Sequence, residues 1–270
     1  MIDMTRIKSR LNSLSNNNAK SDLLWKPVAG KQVVRIVPYK FNPQLPFIEL
    51  KFHYGLNGKT YLSPDSFNRP DPIVEFSNKM KRSGDKEEWQ FGKKIEPKMR
   101  TYVPVIIREQ ESEGVKFWGF GKQVYQEILS IISDPDYGDI TDPVNGRDIV
   151  VEFKTVEETG KQYPETTIRV KPNPSPAVDA NNKELLAKLG AQTNILDLFP
   201  EPTYDELKNV MTAWLHQEES PEATVAVAHA ASVEPTAASV ADVTTPEESA
   251  LPKTNQSADA EEAFKKLFGN

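Results

Sequence analysis

Residues 46–63, PFIELKFHYGLNGKTYLS, predict an antiparallel hairpin. The dipeptide Asn57-Gly58 favours a two-residue type I′ turn, because both residue types accept the positive φ angles that this turn requires. Apolar and polar residues alternate before the turn, and a shorter run at 59–63 returns after it. We therefore expect a β-rich fold built around this hairpin.

The flanking sequence contains further short strands and a few helices. Turn residues bound each strand, and apolar residues recur at helical spacing in each helix. Strands are predicted at 31–39, 46–55, 101–109, 115–121, 148–156 and 166–172, and helices at 71–83, 122–133, 182–189 and 204–215. Thr203 and Glu206 form a capping-box pattern at the start of the last helix. Several short strands within about 200 residues indicate a small barrel.

The charge is distributed unevenly along the chain. The net charge is −6, but residues 31–110 contain 15 basic and nine acidic side chains, whereas residues 217–270 contain three and ten. A nucleic acid requires a local positive field rather than a positive total, and the basic segment supplies one. The chain has no cysteine, which excludes disulfides and thiolate metal ligands and fits a reducing cytosol. No apolar run approaches the roughly 20 residues of a membrane helix, so we expect a cytoplasmic protein without membrane association.

Cations and aromatic rings alternate between residues 79 and 122. Phosphates require a cationic track, and unpaired bases stack on rings with about 1–3 kcal/mol per base whatever their identity. Trp89 and Phe91 are favoured as contacts because their neighbours are charged, whereas Tyr102 belongs to an alternating strand in which half of the rings face the core. The predicted DNA-binding residues of this segment are Lys79, Lys81, Arg82, Trp89, Phe91, Lys93, Lys94, Lys98, Arg100, Tyr102, Lys116, Trp118, Phe120 and Lys122.

The patterns of known catalytic sites are absent from the sequence. Histidine occurs only at positions 53, 216 and 229, so no Ser-His-Asp or Cys-His set can be assembled, and no phosphate-binding Gly-rich loop occurs. The acidic turn SDPDYGDITDPVNG (133–146) could hold a metal ion, which leaves a metal-dependent nuclease as an alternative. A solvated surface turn is the favoured interpretation, and no catalytic residue is predicted.

Four blocks of sequence, in this linear order, resemble one known family. They are RIVPYKFNPQLPFIELKFHYGLNGKTY (35–61), KMRTYVPVIIRE (98–109), EGVKFWGFGKQVYQEI (113–128) and DLFPEPTYDELKNVM (197–211). Together they resemble the core of the single-stranded DNA-binding, helix-destabilising proteins of T-even-type bacteriophages. The resemblance covers about residues 23–216 and extends to the order of basic arm, core and acidic tail.

The resemblance implies a mainly β protein with a few helices. Its OB-fold core (21–216) would lie between a flexible basic N-terminal arm (1–20) and a disordered acidic C-terminal tail (217–270). In this family the arm contacts the neighbouring protomer, and the tail binds partner proteins. The corresponding arm residues are Arg6, Lys8, Ser9 and Arg10, and those of the tail are Glu261, Glu262, Phe264, Leu267 and Phe268. Trp89, Lys98, Tyr102 and Trp118 align with cleft positions of the family, and Tyr163 aligns with a further aromatic.

The sequence departs from the family at its zinc site. That site typically uses one histidine and three cysteines; His53 stands at the histidine position, but the chain has no cysteine. A lone histidine cannot hold structural zinc. We therefore expect a variant without zinc or other cofactor, in which PDSFNRPDPIVEF (64–76) is packed by Phe67, Ile73, Val74 and Phe76.

These observations predict a binding protein rather than an enzyme. It would coat and protect single-stranded DNA cooperatively and without sequence preference, in phage DNA replication, recombination and repair in the cytoplasm of an infected bacterium. The expected partners are single-stranded DNA, other copies of the chain, and the phage DNA polymerase, helicase loader and recombination proteins. The alternative is an RNA-binding translational repressor that uses the same cleft.

Overall fold

The computed structural model describes residues 22–218 and 264–266. The described chain divides into two compact units. We call residues 22–49 and 100–199 the sheet unit, and residues 50–99, 200–218 and 264–266 the helical unit. The expected arm and most of the expected tail lie outside the described residues, so the predicted division into arm, core and tail stays a prediction.

The described elements combine β-strands with helices, and the predicted mainly β class with a few helices is confirmed. The strands are β1 (Leu24–Trp25), β2 (Gly30–Ile36), β3 (Ile48–Leu56), β4 (Lys59–Leu62), β5 (Lys98–Ile107), β6 (Lys116–Phe120), β7 (Arg147–Lys154) and β8 (Glu165–Pro174). The helices are α1 (Pro72–Arg82), α2 (Lys86–Ile95), α3 (Lys122–Ile132), α4 (Val156–Thr159), α5 (Lys183–Gly190) and α6 (Tyr204–Glu218). Short 3-10 helices span Pro64–Phe67, Glu111–Glu113 and Ile195–Leu198.

In the sheet unit, six strands lie in the order β1-β6-β5-β2-β7-β8. The first pair is parallel and the others are antiparallel, with Val103 opposite Trp118 and Val34 opposite Ile107. All four of these side chains are buried, because the inward-facing positions of neighbouring strands fall in register. This arrangement is consistent with the expected OB-like core.

Helix α3 packs on the sheet unit through one apolar face. Val124, Tyr125 and Ile128 are buried, as their spacing of three to four residues requires. The Tyr125 hydroxyl donates to Oε1 of Glu49 at 2.9 Å, and its ring centroid lies 5.3 Å from that of Phe47. Burial and the neighbouring carboxylate raise the pKa of Tyr125 to about 12, so this hydroxyl remains a donor at physiological pH.

The helical unit begins with the predicted hairpin. Asn57 and Gly58 have φ angles of 53° and 70°, as a type I′ turn requires, and β3 pairs antiparallel with β4 through Phe52 and Leu62. The Asn57 side chain donates to the carbonyl of Val210 in α6 at 3.1 Å. The turn is therefore held against the last long helix of the unit, and that helix starts with the predicted capping box: the Glu206 side chain accepts from the backbone N–H of Thr203 at 2.8 Å.

Helices α1 and α2 approach each other closely at Gly92. A Cβ atom at this position would lie 2.8 Å from the carbonyl oxygen of Ser77, closer than real Cβ contacts allow. The Ser77 hydroxyl donates to the Gly92 carbonyl at 2.8 Å, which joins the two helices at this point. Helix α2 was not predicted from the sequence. Its start is nevertheless marked by Asp85, which caps the helix by accepting from the N–H groups of Glu87 and Glu88.

Substituting Gly92→Ala tests the close helix contact. Alanine is the better helix former, by about 1 kcal/mol, but its methyl group must push the helices apart. We expect Gly92→Ala to lower the free energy of unfolding by about 1–3 kcal/mol, as measured by urea denaturation followed by circular dichroism. Gly190→Ala is the matched control, because a Cβ there meets nothing within 4 Å. Equal or higher stability of Gly92→Ala would contradict the packing.

Candidate nucleic-acid interface

The predicted DNA-binding residues fall into three groups by exposure. Exposure matters because stacking on a base requires a free ring face, and contact with a phosphate requires an accessible cation. The exposed residues are Lys79, Arg82, Trp89, Lys93, Lys94, Lys98, Lys122 and Tyr163; the partly exposed ones are Lys81, Arg100 and Lys116; and the buried ones are Phe91, Tyr102, Trp118 and Phe120. The arm residues Arg6, Lys8, Ser9 and Arg10 lie outside the described residues.

The buried rings are part of the core and not of a surface. Trp118 is only 1% exposed, and its ring centroid lies 5.7 Å from that of Trp25 and 4.7 Å from that of Phe120. Tyr102 lies across Gly119, where a Cβ atom would stand 2.6 Å from its ring. None of these rings presents a face to solvent for stacking. Their charged neighbours in sequence made them candidates, but strand alternation and packing turn them inward.

Helix α2 places the two predicted contacts Trp89 and Phe91 on different sides, one exposed and one buried. Trp89 and Phe91 are two residues apart, which places them on nearly opposite sides of a helix with 3.6 residues per turn. Trp89 is 47% exposed, whereas Phe91 is buried against Phe76 and Trp214. The Nζ of Lys93 lies 5.8 Å from the Trp89 ring centroid. This exposed face therefore presents a ring and an adjacent cation.

Two lysines of the helical unit share a carboxylate. Lys81 and Lys93 donate to Glu96 at 2.8 and 3.0 Å. Partial burial alone would raise the pKa of Glu96, but the two ammonium groups outweigh it and hold that pKa below its usual value. Both lysines also lie in the last turn of a helix, where cations stabilise the helix dipole. Part of the positive charge predicted to contact DNA thus has a structural role.

A surface cleft of the helical unit combines rings and cations. It is lined by His53, Tyr54, Gly55, Leu56, Lys94, Ile95, Glu96, Lys98 and Trp214. Tyr54 is 44% exposed, and Lys94 places its Nζ 5.3 Å from the Trp214 ring centroid. A phenol ring next to two ammonium groups can stack on an unpaired base while the cations contact the flanking phosphates.

Tyr54 is not among the residues predicted from the sequence to bind DNA, because its exposure depends on an irregularity in β3. Simple alternation would place it on the same side of β3 as the buried Phe52. The register between β3 and β4 shifts between His53 and Leu56, and Gly55 has a φ of 74°. Such a β-bulge redirects side chains, and here it exposes Tyr54 at the cleft. The sequence contains one sign of this irregularity: a glycine within a strand, such as Gly55 here, often marks a bulge.

A hydrogen-bond network surrounds His53, the residue that the resemblance aligned with a zinc ligand. His53, Ser63 and Asp71 are all buried. Oδ2 of Asp71 lies 2.9 Å from Nε2 of His53 and accepts from the Ser63 hydroxyl at 2.5 Å. Oδ1 of Asp71 accepts from the N–H groups of Ile73 and Val74 at 2.9 and 3.2 Å and so caps α1.

These residues do not fit a structural zinc ion. Zinc requires four ligands in a tetrahedron, and the lone histidine here is joined to a carboxylate whose oxygens already accept four hydrogen bonds. Among residues 22–218 and 264–266, no group of three or more potential ligands is placed to hold a metal. Of the four residues expected to pack the 64–76 segment, Ile73 and Phe76 are fully buried, whereas Phe67 and Val74 are only partly buried.

The acidic turn near residues 133–146 uses its carboxylates to fix its own backbone. Asp134 accepts from the N–H of Asp136, and Asp139 accepts from both the N–H and the hydroxyl of Thr141. Asp142 accepts from two backbone N–H groups, which hold its pKa below the usual value. These contacts are those of a capped surface turn and provide no support for a nuclease centre.

The rings, cations and fold together are those of a DNA-binding protein. Residues 28–213 match the model of a family described as "gp32 DNA binding protein like". The chain belongs to this family, and the expected resemblance to the phage single-stranded DNA-binding proteins is confirmed. Among curated proteins, none matches significantly. Within the described part of the chain, no helix is long and apolar enough to cross a membrane.

Replacing the central carboxylate of the buried network tests its contribution to stability. In Asp71→Asn, an amide group would have to face both His53 and Ser63, and one hydrogen bond would be lost or mismatched. We expect the free energy of unfolding to fall by about 1–3 kcal/mol at pH 7, measured by urea denaturation. Asp85→Asn is the matched control: it caps α2 at an exposed position, where asparagine is an equally good cap. Similar losses in both variants would show that only capping matters.

The same carboxylate predicts a dependence of stability on pH. Burial would raise the pKa of Asp71, but the hydrogen bond and charge of His53, with the bonds from Ser63 and Val74, hold it below its usual 3.8. A lowered folded-state pKa gives stability that is present above about pH 4 and is lost as pH falls through the folded value. We expect acid unfolding to be steeper in the unaltered protein than in Asp71→Asn. Identical acid profiles would contradict this role.

Proposed function

We propose that this protein coats single-stranded DNA without sequence preference, as an accessory protein of phage DNA replication, recombination and repair in the cytoplasm of an infected bacterium. The observation that carries the proposal is the pair of exposed rings, Tyr54 and Trp89, beside Lys93, Lys94 and Lys98. Membership of a DNA-binding family supports it independently. The protein acts by binding and not by catalysis.

The mechanism follows from the chemistry of unpaired strands. Bases stack on the exposed rings whatever their identity, which makes binding independent of sequence, and the ammonium groups replace counterions along the phosphates. A protein that binds single strands but not duplex shifts the melting equilibrium towards single strands by mass action. This accounts for hairpin removal without an energy source.

The N-terminal and C-terminal segments are proposed to add cooperativity and partner recruitment to DNA binding. The family resemblance assigns neighbour contacts to Arg6, Lys8, Ser9 and Arg10, which would make coating cooperative. It assigns recruitment of the DNA polymerase, the helicase loader and recombination proteins to the acidic tail. The sequence supports both assignments through the basic N-terminal segment and the excess of ten acidic over three basic side chains in residues 217–270.

We also propose that the protein works without zinc. The buried contacts of His53, Ser63 and Asp71 join β3, the segment after β4 and α1 through hydrogen bonds alone. Metal analysis of the purified protein should therefore find no stoichiometric zinc. A chelator should leave both the melting temperature and the affinity for DNA unchanged, and loss of either would contradict the proposal.

Titration with oligo-dT, monitored by tryptophan fluorescence at two salt concentrations, tests the proposed interface. Tyr54→Ala and Trp89→Ala should each weaken binding roughly 5- to 150-fold, the equivalent of about 1–3 kcal/mol for one stacked base. Because Trp89→Ala removes a reporter, anisotropy of labelled DNA provides the common readout. Tyr137→Ala is the matched control, since this ring is similarly exposed but lies in the acidic turn.

Lysine variants in the same titration test the phosphate contacts. Lys94→Ala and Lys98→Ala should each reduce the slope of log affinity against log salt by about 0.7, the value for one single-strand phosphate contact. Unchanged slopes, or equal affinities for the Tyr54, Trp89 and Tyr137 variants, would exclude the Tyr54 cleft and the Trp89 surface as DNA contacts. Competition with RNA of the same length shows whether the cleft prefers RNA, as a translational repressor would.

A further inference from the structure

The last described residues of the chain contact the helical unit. Phe264 is only 4% exposed, and its ring meets that of Phe76 edge-on, with centroids 5.2 Å apart and planes at 87°. It belongs to the same buried cluster as Phe91, Met211 and Trp214. Lys265 and Lys266, the next two residues, are exposed.

This contact is unusual for the sequence around it. Residues 219–263 contain no aromatic side chain, and their Pro, Ala, Thr and Ser content is typical of a linker. Ordering a chain end costs conformational entropy, so a side chain there is held only if its burial compensates for that cost. Phe264 satisfies this condition, because it removes a large apolar ring from water against aromatic partners.

We propose that α1 and α6 of the helical unit form a docking pocket for the C-terminal segment of the same chain, with Phe264 as its anchor. A protein that captures this segment through Phe264 must first displace it from Phe76. Docking in the pocket therefore lowers the apparent affinity of such a partner for the C-terminal segment. The proposal rests on the contact of Phe264 with Phe76 and not on DNA binding, so it is tested separately from the proposed function.

The pocket is expected to bind the C-terminal segment of its own chain in preference to that of a second copy. Residues 219–263 join the anchor covalently to the unit that carries the pocket, and a covalent tether raises the effective concentration of a ligand, to the millimolar range for short tethers. A second copy reaches this value only in very concentrated solution. Any self-association through the proposed arm should therefore not depend on Phe264, and light scattering should give the full chain and Phe264→Ala the same mass at each concentration. A dimer that forms with concentration and is lost in Phe264→Ala would overturn docking within one chain.

A labelled peptide of residues 257–270 measures whether the pocket is occupied. Full-length Phe264→Ala should bind the peptide at least tenfold more tightly than the unaltered protein, because the variant leaves its pocket open. Lys266→Ala is the matched control and should bind like the unaltered protein, since it leaves the Phe264 anchor in place. A peptide that itself carries Phe264→Ala should bind neither protein.

A graded variant keeps the test decisive if alanine disturbs the fold. Phe264→Leu retains an apolar anchor, so its affinity for the peptide should lie between those of the unaltered protein and Phe264→Ala. Circular dichroism should show the same helix content in all variants. Equal affinity of every variant for the peptide, or no binding to Phe264→Ala and Phe264→Leu, would overturn the proposal.

Discussion

The buried carboxylate of Asp71 is the contact on which the helical unit depends. One oxygen caps α1, and the other joins His53 of β3 to Ser63, which follows β4. A buried carboxylate is stable only if its lone pairs are satisfied, and here hydrogen bonds from three parts of the chain satisfy them. The arrangement fixes the start of α1 relative to the hairpin, and α1 in turn provides the surface on which α2 packs at Gly92.

The candidate interface follows from this constraint. Helix α2 places Phe91 in the core and Trp89 on the surface, with Lys93 beside it. The bulge at Gly55 exposes Tyr54 beside Lys94 and Lys98. An exposed ring can stack on a base, whereas the buried Trp118 and Phe120 cannot, so ring exposure selects the candidate contacts more sharply than the number of lysines does.

Most of the regular elements were predicted because their signals are local, although helix α2 was missed. The Asn57-Gly58 turn, the Thr203 and Glu206 capping box and the apolar face of α3 each depend on a few neighbouring residues. The side chains that face solvent were harder to predict. Trp118 and Phe120 are buried by strand pairing, and Tyr54 is exposed by a bulge; both effects depend on register, which composition does not contain. The contact of Phe264 joins residues far apart in the chain, and no local pattern indicates it.

Photo-crosslinking of oligo-dT to the full-length protein, with the attached residues located by mass spectrometry, tests the central claim most directly. The account predicts crosslinks at Tyr54 and Trp89 and none at Tyr137, whose ring is also exposed but lies in the acidic turn with Arg147 beside it. Crosslinks confined to other parts of the chain, with Tyr54 and Trp89 unmodified, would contradict the assignment of these two rings as contacts of single-stranded DNA.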